Sequence, residues 1–252
     1  MRQNGSLVMA FKNLSKGKLV LILVCMVGSA MVLFAQMGGS DMGAELQQKL
    51  AALKESAAQN KQKLRQYQWI ETSQITLKGE QKPEQVYQCS YGPNGQVQKI
   101  PMNPQQPEQQ GRGGLRGRIV EKKKAEMKDY MQQVHSLLTM YVPPNPQLMQ
   151  QAFQKHNVSL DKSMGSSGVQ LIFKSYAKEG DQMTITFDPA TKKISTINVN
   201  TYMDDPKDAV TLSIQMASLP DGTNYAQQTM LNATAKQIQV TTTNSNYVKL
   251  SS

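Results

Sequence analysis

The stretch "KKISTINVNTYMDDPKDAVTLSIQMA", residues 192–217, decides the fold because it holds two alternating runs of apolar and polar residues around one acidic segment. Successive side chains of a strand point to opposite faces, so this period of two is typical of β-strands. Pro206 presets one backbone dihedral of the segment between the runs, and aspartates there accept hydrogen bonds from nearby amides. The stretch therefore predicts two antiparallel strands joined by a turn.

The three aspartates of this turn, Asp204, Asp205 and Asp208, could also be interpreted as a cation site or a reaction centre. Calcium sites need several converging oxygens, usually with a glycine in the loop and a bidentate glutamate. This segment has neither residue and carries Lys207 in its middle. Paired carboxylates for acid–base chemistry also need a cleft, which the tip of a hairpin rarely provides. We therefore interpret the aspartates as turn residues.

Similar runs extend outward from this stretch in both directions, separated by turn signals about ten residues apart in the second half of the chain. Their apolar residues lie on one side, as Val210, Leu212, Ile214 and Met216 do, which is typical of a sheet with one covered face. The further predicted strands are 67–79, 84–92, a short one ending at Ile100 after the turn 93–95, 169–176, 182–189, 223–233 and 235–243.

Helical periodicity appears in two places, and both helices would carry a narrow apolar stripe. The first runs from about 44 to 64, with Asn60 in a slot where the stripe calls for an apolar residue. The second begins near 119, and a short third helix starts at Pro146. The apolar positions are Leu46, Leu50, Leu53, Ala57 and Leu64 in the first helix, and Val120, Met127, Met131, Val134, Leu138 and Tyr141 in the second.

These elements predict an α+β fold, in which a curved antiparallel sheet of about nine strands forms a half-open barrel covered by amphipathic helices. We expect residues 44–250 to form a single domain with a helical insert at 119–156. Neither the first three strands nor the helices could bury a core alone.

The first 35 residues predict export from a bacterial cell. Residues 1–18 carry four basic and no acidic side chains, and the 17 residues 19–35 carry no charge. That length fits either a signal peptide that is removed or an uncleaved anchor in the inner membrane, and both remain open. Residues 36–43 would be a tether, and the rest would lie in the periplasm. Without residues 1–35 the net charge falls from +10 to +6.

Few residues favour catalysis. The exported part would keep one cysteine, Cys89, which alternates with polar neighbours and is interpreted as a small buried residue. Neither His135 nor His156 has a second metal ligand at a suitable spacing, and no nucleotide-binding or nucleophile motif is found. We therefore expect no enzyme activity, no metal and no cofactor.

Residues 112–124 form the sharpest charge feature, with six basic residues against Glu121. An anionic membrane surface is the partner we expect, because basic segments are attracted to anionic lipid headgroups. A merely solvated segment is the alternative. Nucleic acid is not expected, because the segment has no aromatic residues and exported proteins meet little nucleic acid. The predicted contact residues are Arg112, Arg116, Arg118, Lys122, Lys123 and Lys124.

The order of helix, strands, helical insert and more strands behind an export signal resembles the periplasmic lipoprotein-carrier superfamily. Three blocks, 67–80, 91–99 and 198–212, also look like exported bacterial proteins of unassigned function. The resemblance implies a half-open barrel covered by helices, with an apolar cavity that holds acyl chains.

Two functions follow as expectations. The first is a non-enzymatic protein that holds a lipid, acyl chain or other apolar ligand between the sheet and the helices, since methionines adapt to irregular apolar surfaces. The second is a structural or interaction protein of the cell envelope with a fully packed core. For the first, the predicted contact residues are Trp69, Met127, Met131 and Leu138.

Overall fold

The computed structural model describes residues 55, 58–102, 115–163, 168–188, 190–191 and 193–250, without the side chains of 115–117 and 119–120. The predicted export segment, the tether and most of the first predicted helix lie outside these residues. Within them, no helix has the length and apolar character needed to cross a membrane.

The described residues contain three helical segments and eleven strands. Residues 58–64 are helical and are called α1 here. The other helices are α2, Leu115–Leu138, and α3, Pro146–Gln154. The strands are β1 Tyr67–Leu77, β2 Glu80–Gln81, β3 Gln85–Tyr91, β4 Val97–Pro101, β5 Val158–Asp161, β6 Val169–Lys174, β7 Gln182–Asp188, β8 Lys193–Tyr202, β9 Ala209–Ser218, β10 Asn224–Ala233 and β11 Ile238–Lys249.

All eleven described strands belong to one antiparallel sheet, in the order β4-β3-β1-β11-β10-β9-β8-β7-β6-β5, with β2 added beside β1. The prediction of an α+β fold with an open, curved antiparallel sheet is confirmed. The expected number of about nine strands was low. Strands of two and four residues, such as β2 and β5, are too short to show a period in the sequence.

One row of apolar side chains crosses eight neighbouring strands on the inner face of this sheet. Each neighbour in the row is a register partner of the next, so the side chains lie side by side. The row gives the inner face aliphatic and aromatic surface from β1 to β5. Its members are Ile75, Val240, Leu231, Leu212, Val199, Met183, Phe173 and Val158.

The neighbouring row of inward side chains, two residues away on each strand, changes from aliphatic to polar residues in the middle of the sheet. From β5 to β9 it is aliphatic and includes Leu171, Ile185 and Ile214. At β10, β11 and β1 the same row continues with Thr229, Thr242 and Ser73. The inner face therefore has an aliphatic half on β5–β9 and a more polar half on β10, β11, β1 and β3.

Asn60 explains the gap in the apolar stripe of the first helix. Its amide group donates to the carbonyl oxygen of Asn224 at 2.5 Å and accepts from the backbone N–H of the same residue at 2.5 Å. Both groups lie at the start of β10, ahead of Gln228, the first residue of this strand that pairs with β11. The polar residue in the stripe thus docks α1 on the sheet.

We predict that Asn60→Leu, which completes the apolar stripe, destabilises the protein by about 1–3 kcal/mol. The substitution leaves two part-buried backbone groups of Asn224 unpaired. Urea unfolding would measure the change. The matched control is Gln59→Leu, the same kind of substitution at the exposed neighbouring position. A stabilised Asn60→Leu variant would contradict the docking role.

Candidate functional site

Helix α2 covers the aliphatic half of the inner face. Its inward side chains at Met127, Met131, Val134 and Leu138 belong to the same packed cluster as the sheet residues of β6–β9. The spacing of four, three and four residues keeps these side chains on one side of the helix. Three of the four predicted ligand contacts, Met127, Met131 and Leu138, are therefore brought together.

Two tyrosines, one in α2 and one in the turn that follows it, fasten this part of the chain to the sheet. The hydroxyl of Tyr130 donates to Asp208 at 2.8 Å. The hydroxyl of Tyr141 donates to Asp181 and lies 2.7 Å from the hydroxyl oxygen of Thr201. Burial first, and then the neighbouring carboxylate, raise the pKa of both phenols well above their ordinary value, so both keep their protons as donors.

The contact layer between α2 and the sheet is filled by side chains. Met131 is 1% exposed, Val134 is 0% exposed and Phe173 is 0% exposed. An empty space wide enough for an acyl chain would leave accessible surface on the side chains around it. These residues have none, so the described side chains pack directly on one another here. A ligand at this position would have to displace α2.

The acidic segment between β8 and β9 forms the turn that the sequence predicts. The carboxylate of Asp205 accepts the backbone N–H of Lys207 at 2.8 Å, and the Asp205 carbonyl accepts the N–H of Asp208, also at 2.8 Å. Asp208 in turn holds Tyr130 of α2. These acids therefore close the turn between β8 and β9 and fasten the helix. In the described part of the chain, no three His, Cys, Asp or Glu side chains are grouped to hold a metal.

Trp69, the fourth predicted ligand contact, lies apart from α2. It packs with Tyr87 and Cys89 in a second cluster, and its ring stacks on Tyr247 with centroids 5.5 Å apart. Its indole N–H donates to the side-chain oxygen of Asn244 at 3.1 Å. Trp69 and Ile75 lie six residues apart on β1, which is a distance of about 20 Å at 3.3 Å per residue. The predicted contact set is thus divided between two clusters.

A buried ion pair lies beside this second cluster. The ammonium of Lys99 on β4 is 2.6 Å from each carboxylate oxygen of Glu71 on β1, across the intervening strand β3. The Glu71 side chain is 2% exposed and that of Lys99 is 15% exposed. Burial raises the pKa of Glu71 and lowers the pKa of Lys99, while each partner's charge opposes these shifts. Each charge is thus retained through the other.

This ion pair was not predicted from the sequence, although the sequence holds one signal for it. Glu71 occupies the same alternating series as Trp69, Ser73 and Ile75, so its side chain had to point to the covered face. The identity of its partner depends on the register of β1, β3 and β4. Tight turns set that register, and the residue pattern alone does not specify it.

The predicted basic surface is only partly within the described residues. The side chains of Arg112 and Arg116 lie outside them. Arg118, Lys122 and Lys123 are exposed on the N-terminal half of α2. Lys124 is half-buried and donates to Glu121 at 3.1 Å. Three of the predicted cations are therefore exposed to solvent, and Lys124 is engaged along the helix.

Comparison with known proteins adds little to this picture. No protein-family model matches the chain, and no curated protein matches it. A crystal structure of a DUF1329 family protein from Desulfovibrio piger is similar over 81% of this chain and 92% of that chain, with 8% sequence identity and a TM-score of 0.35. The resemblance to lipoprotein carriers stays a prediction.

We predict that Lys99→Met destabilises the protein by about 3 kcal/mol near pH 8 and much less near pH 4. Without the cation, the pKa of Glu71 rises further above its ordinary value, because only burial then acts on it. The folded state then binds a proton more tightly than the unfolded state. Stability is therefore lost as pH rises from the ordinary pKa of a glutamate towards the raised pKa of Glu71. Urea unfolding from pH 4 to 8 measures the effect.

The control for this prediction is the double variant Glu71→Leu with Lys99→Met. It removes both charges together, so most of the lost stability should return, and its difference from the wild type should vary little with pH. A single variant that is equally destabilised at every pH would show that the ion pair has no role in the loss.

We predict that Cys89 does not react with maleimide at pH 8 while the protein is folded. Its side chain is fully buried, and burial, with a smaller effect of Glu71, raises the pKa of its thiol to about 12. A Cys25→Ser chain isolates this thiol for measurement by mass spectrometry. Complete labelling in urea is the positive control, and rapid labelling of the folded chain would overturn the prediction.

Proposed function

We propose that the chain is an exported, non-enzymatic binding protein that holds a lipid or acyl chain between the sheet and α2. The observation that carries the proposal is the continuous apolar row across eight strands, faced by a helix whose inward side includes two methionines. Unbranched methionine side chains adapt to irregular apolar partners at small cost. A sheet that is aliphatic on one face supplies the opposite wall.

In this proposal α2 is a displaceable cover. Tyr130 joins α2 to the turn before β9 by a hydrogen bond, and Tyr141, three residues beyond the helix, bonds to Asp181 and Thr201, whereas the strands are joined by full backbone ladders. Opening the helix would expose apolar side chains at about 1.5–3 kcal/mol each, and an acyl chain in their place would recover most of that free energy. Met127, Met131 and Leu138 would then contact the ligand. Only a ligand that extends along β1 would also reach Trp69.

A second candidate function rests on the filled contact layer. Because Met131, Val134 and Phe173 expose almost no surface, the protein could instead act through its outer surface, as a structural or interaction protein of the cell envelope. In that case α2 is a permanent part of the core. The two candidates differ in whether an apolar molecule ever replaces the contacts of α2.

A photoreactive fatty acid distinguishes them. We expect cross-links to the full chain in membranes to map to residues 125–138 and to strands β6–β9. We expect Met131→Ala, which removes volume from the contact layer, to increase their yield severalfold. Met140→Ala is the matched control, because this methionine of the same region is exposed. Cross-links confined to residues 19–35, with no response to Met131→Ala, would reject the ligand proposal.

A further inference from the structure

Large exposed apolar side chains are concentrated on one part of the described surface, at the strands β4, β3, β1 and β11. Four of the five that are exposed in the described chain lie on these strands or directly after them, at Ile100, Met102, Val248 and Leu250. Ile100 is 63% exposed and Val248 is 54% exposed. The fifth, Met140, lies after α2. The exposure is therefore a property of this part of the sheet.

The strand register places these side chains on the outer face of the sheet. The odd-numbered residues of β1 are buried on the inner face, so Ile70 points outward. Ile100 is the register partner of Gln88, and Gln88 is the partner of Ile70, so Ile100 lies on the same face. Val248 is the partner of Gln68, which also points outward. All of them are therefore on the face opposite to the one that α2 covers.

Apolar side chains form a continuous line across these four strands. Val248 pairs with the residue two before Ile70, and Val86 pairs with the residue two after it, so both are diagonal neighbours of Ile70. The N–H of Met102 donates to the carbonyl oxygen of Val86, which extends the β3–β4 ladder and places Met102 beside it. Diagonal neighbours lie about 7–8 Å apart, within reach of long side chains. We call this line the outer apolar patch, and its members are Ile70, Val86, Ile100, Met102 and Val248.

The face around the outer apolar patch carries no charge. On these four strands, which the structure describes in full, no acidic or basic side chain points outward, because Glu71 and Lys99 point inward and bond to each other. The register continues this face onto β10, where the outward positions are also uncharged. The polar outward residues of the four strands are Gln68, Thr72, Gln74, Thr76, Gln88, Ser90, Gln98, Gln239, Thr241, Thr243 and Ser245.

We propose that the outer apolar patch is the contact surface for a second copy of this chain, which meets it through the same patch. Amide and hydroxyl side chains carry both donors and acceptors, so an uncharged face of this kind can satisfy the hydrogen bonds of an identical face. The whole chain has a net charge of +10, so two copies repel each other where their charged surfaces meet. The uncharged face is therefore where two copies can approach.

The size of the patch indicates a weak dimer. Four strands and about six residues along each cover about 400 Å² per copy at the spacings of a β-sheet. The total of about 800 Å² lies below the usual range for stable complexes, so the dimer should form only at high protein concentration. An anionic bilayer fits this face less well, because such surfaces are usually met by lysine or arginine beside the apolar side chains. The proposal is independent of whether a ligand binds under α2.

Opposite charges placed in the patch test the proposal in the full chain. Ile100→Lys and Ile100→Glu each change a side chain that is largely exposed, so the fold should be retained. Each variant alone brings two like charges into one small contact and should dimerise at least about tenfold more weakly than the wild type. Sedimentation velocity of the purified chain in detergent, over a range of protein concentrations, measures the dimer.

Mixing the two variants provides the second arm of the test. Opposite charges then meet in the contact, so the mixture should recover most of the dimer, a result that requires two copies of this chain to face each other. Met140→Lys and Met140→Glu are the matched controls, because Met140 is exposed outside the patch, and neither should change dimerisation.

Two results would overturn the proposal. Residues 19–35 could also pair two copies in a micelle, and a dimer that does not respond to either charge at position 100 would show that the patch is not the contact. A chain that stays monomeric at every concentration would leave a bilayer or a different protein as the occupant of the patch.

Discussion

The antiparallel ladder between β1 and β11 is the contact on which the rest of the structure depends. It pairs the first long strand of the described chain with the last, from Tyr67 opposite Lys249 to Leu77 opposite Ile238. Through it, β3 and β4 join a sheet whose other strands come from the second half of the chain. Without this ladder, the first strands would be a small ribbon with too little apolar surface to fold alone.

The same ladder joins two inner surfaces of different chemistry. The half on β5–β9 is aliphatic and is filled by α2, so its stability comes from close apolar packing. The half on β1, β3 and β11 buries Trp69, Asn244 and the Glu71–Lys99 pair, so it depends on satisfied polar partners. The proposed apolar ligand would contact the first half, whereas the second half favours a fixed arrangement because each buried charge needs its partner.

The sequence alone predicted the sheet well because its signal is local. Alternation in residues 169–217 placed strands β6–β9 within a few residues of their observed bounds. The turn at Asp204–Asp208 was also predicted, because proline and aspartate act on their own backbone neighbours. What could not be predicted depends on contacts between distant segments. Asn60 appeared only as a gap, and Trp69 was grouped with Met127 because the pattern does not show which strands a helix covers.

Three register shifts interrupt the ladders of the described strands, and the one in β10 lies between Ala226 and Gln228. Ala226 and Thr229 are both buried on the inner face although they are three positions apart, an odd spacing that would place them on opposite faces of a regular strand. The extra residue of this β-bulge absorbs the mismatch in parity. The strand thus holds one extra residue while its apolar side chains stay buried on the inner face. Related chains could differ in length at this position and still keep every other inner-face residue in place.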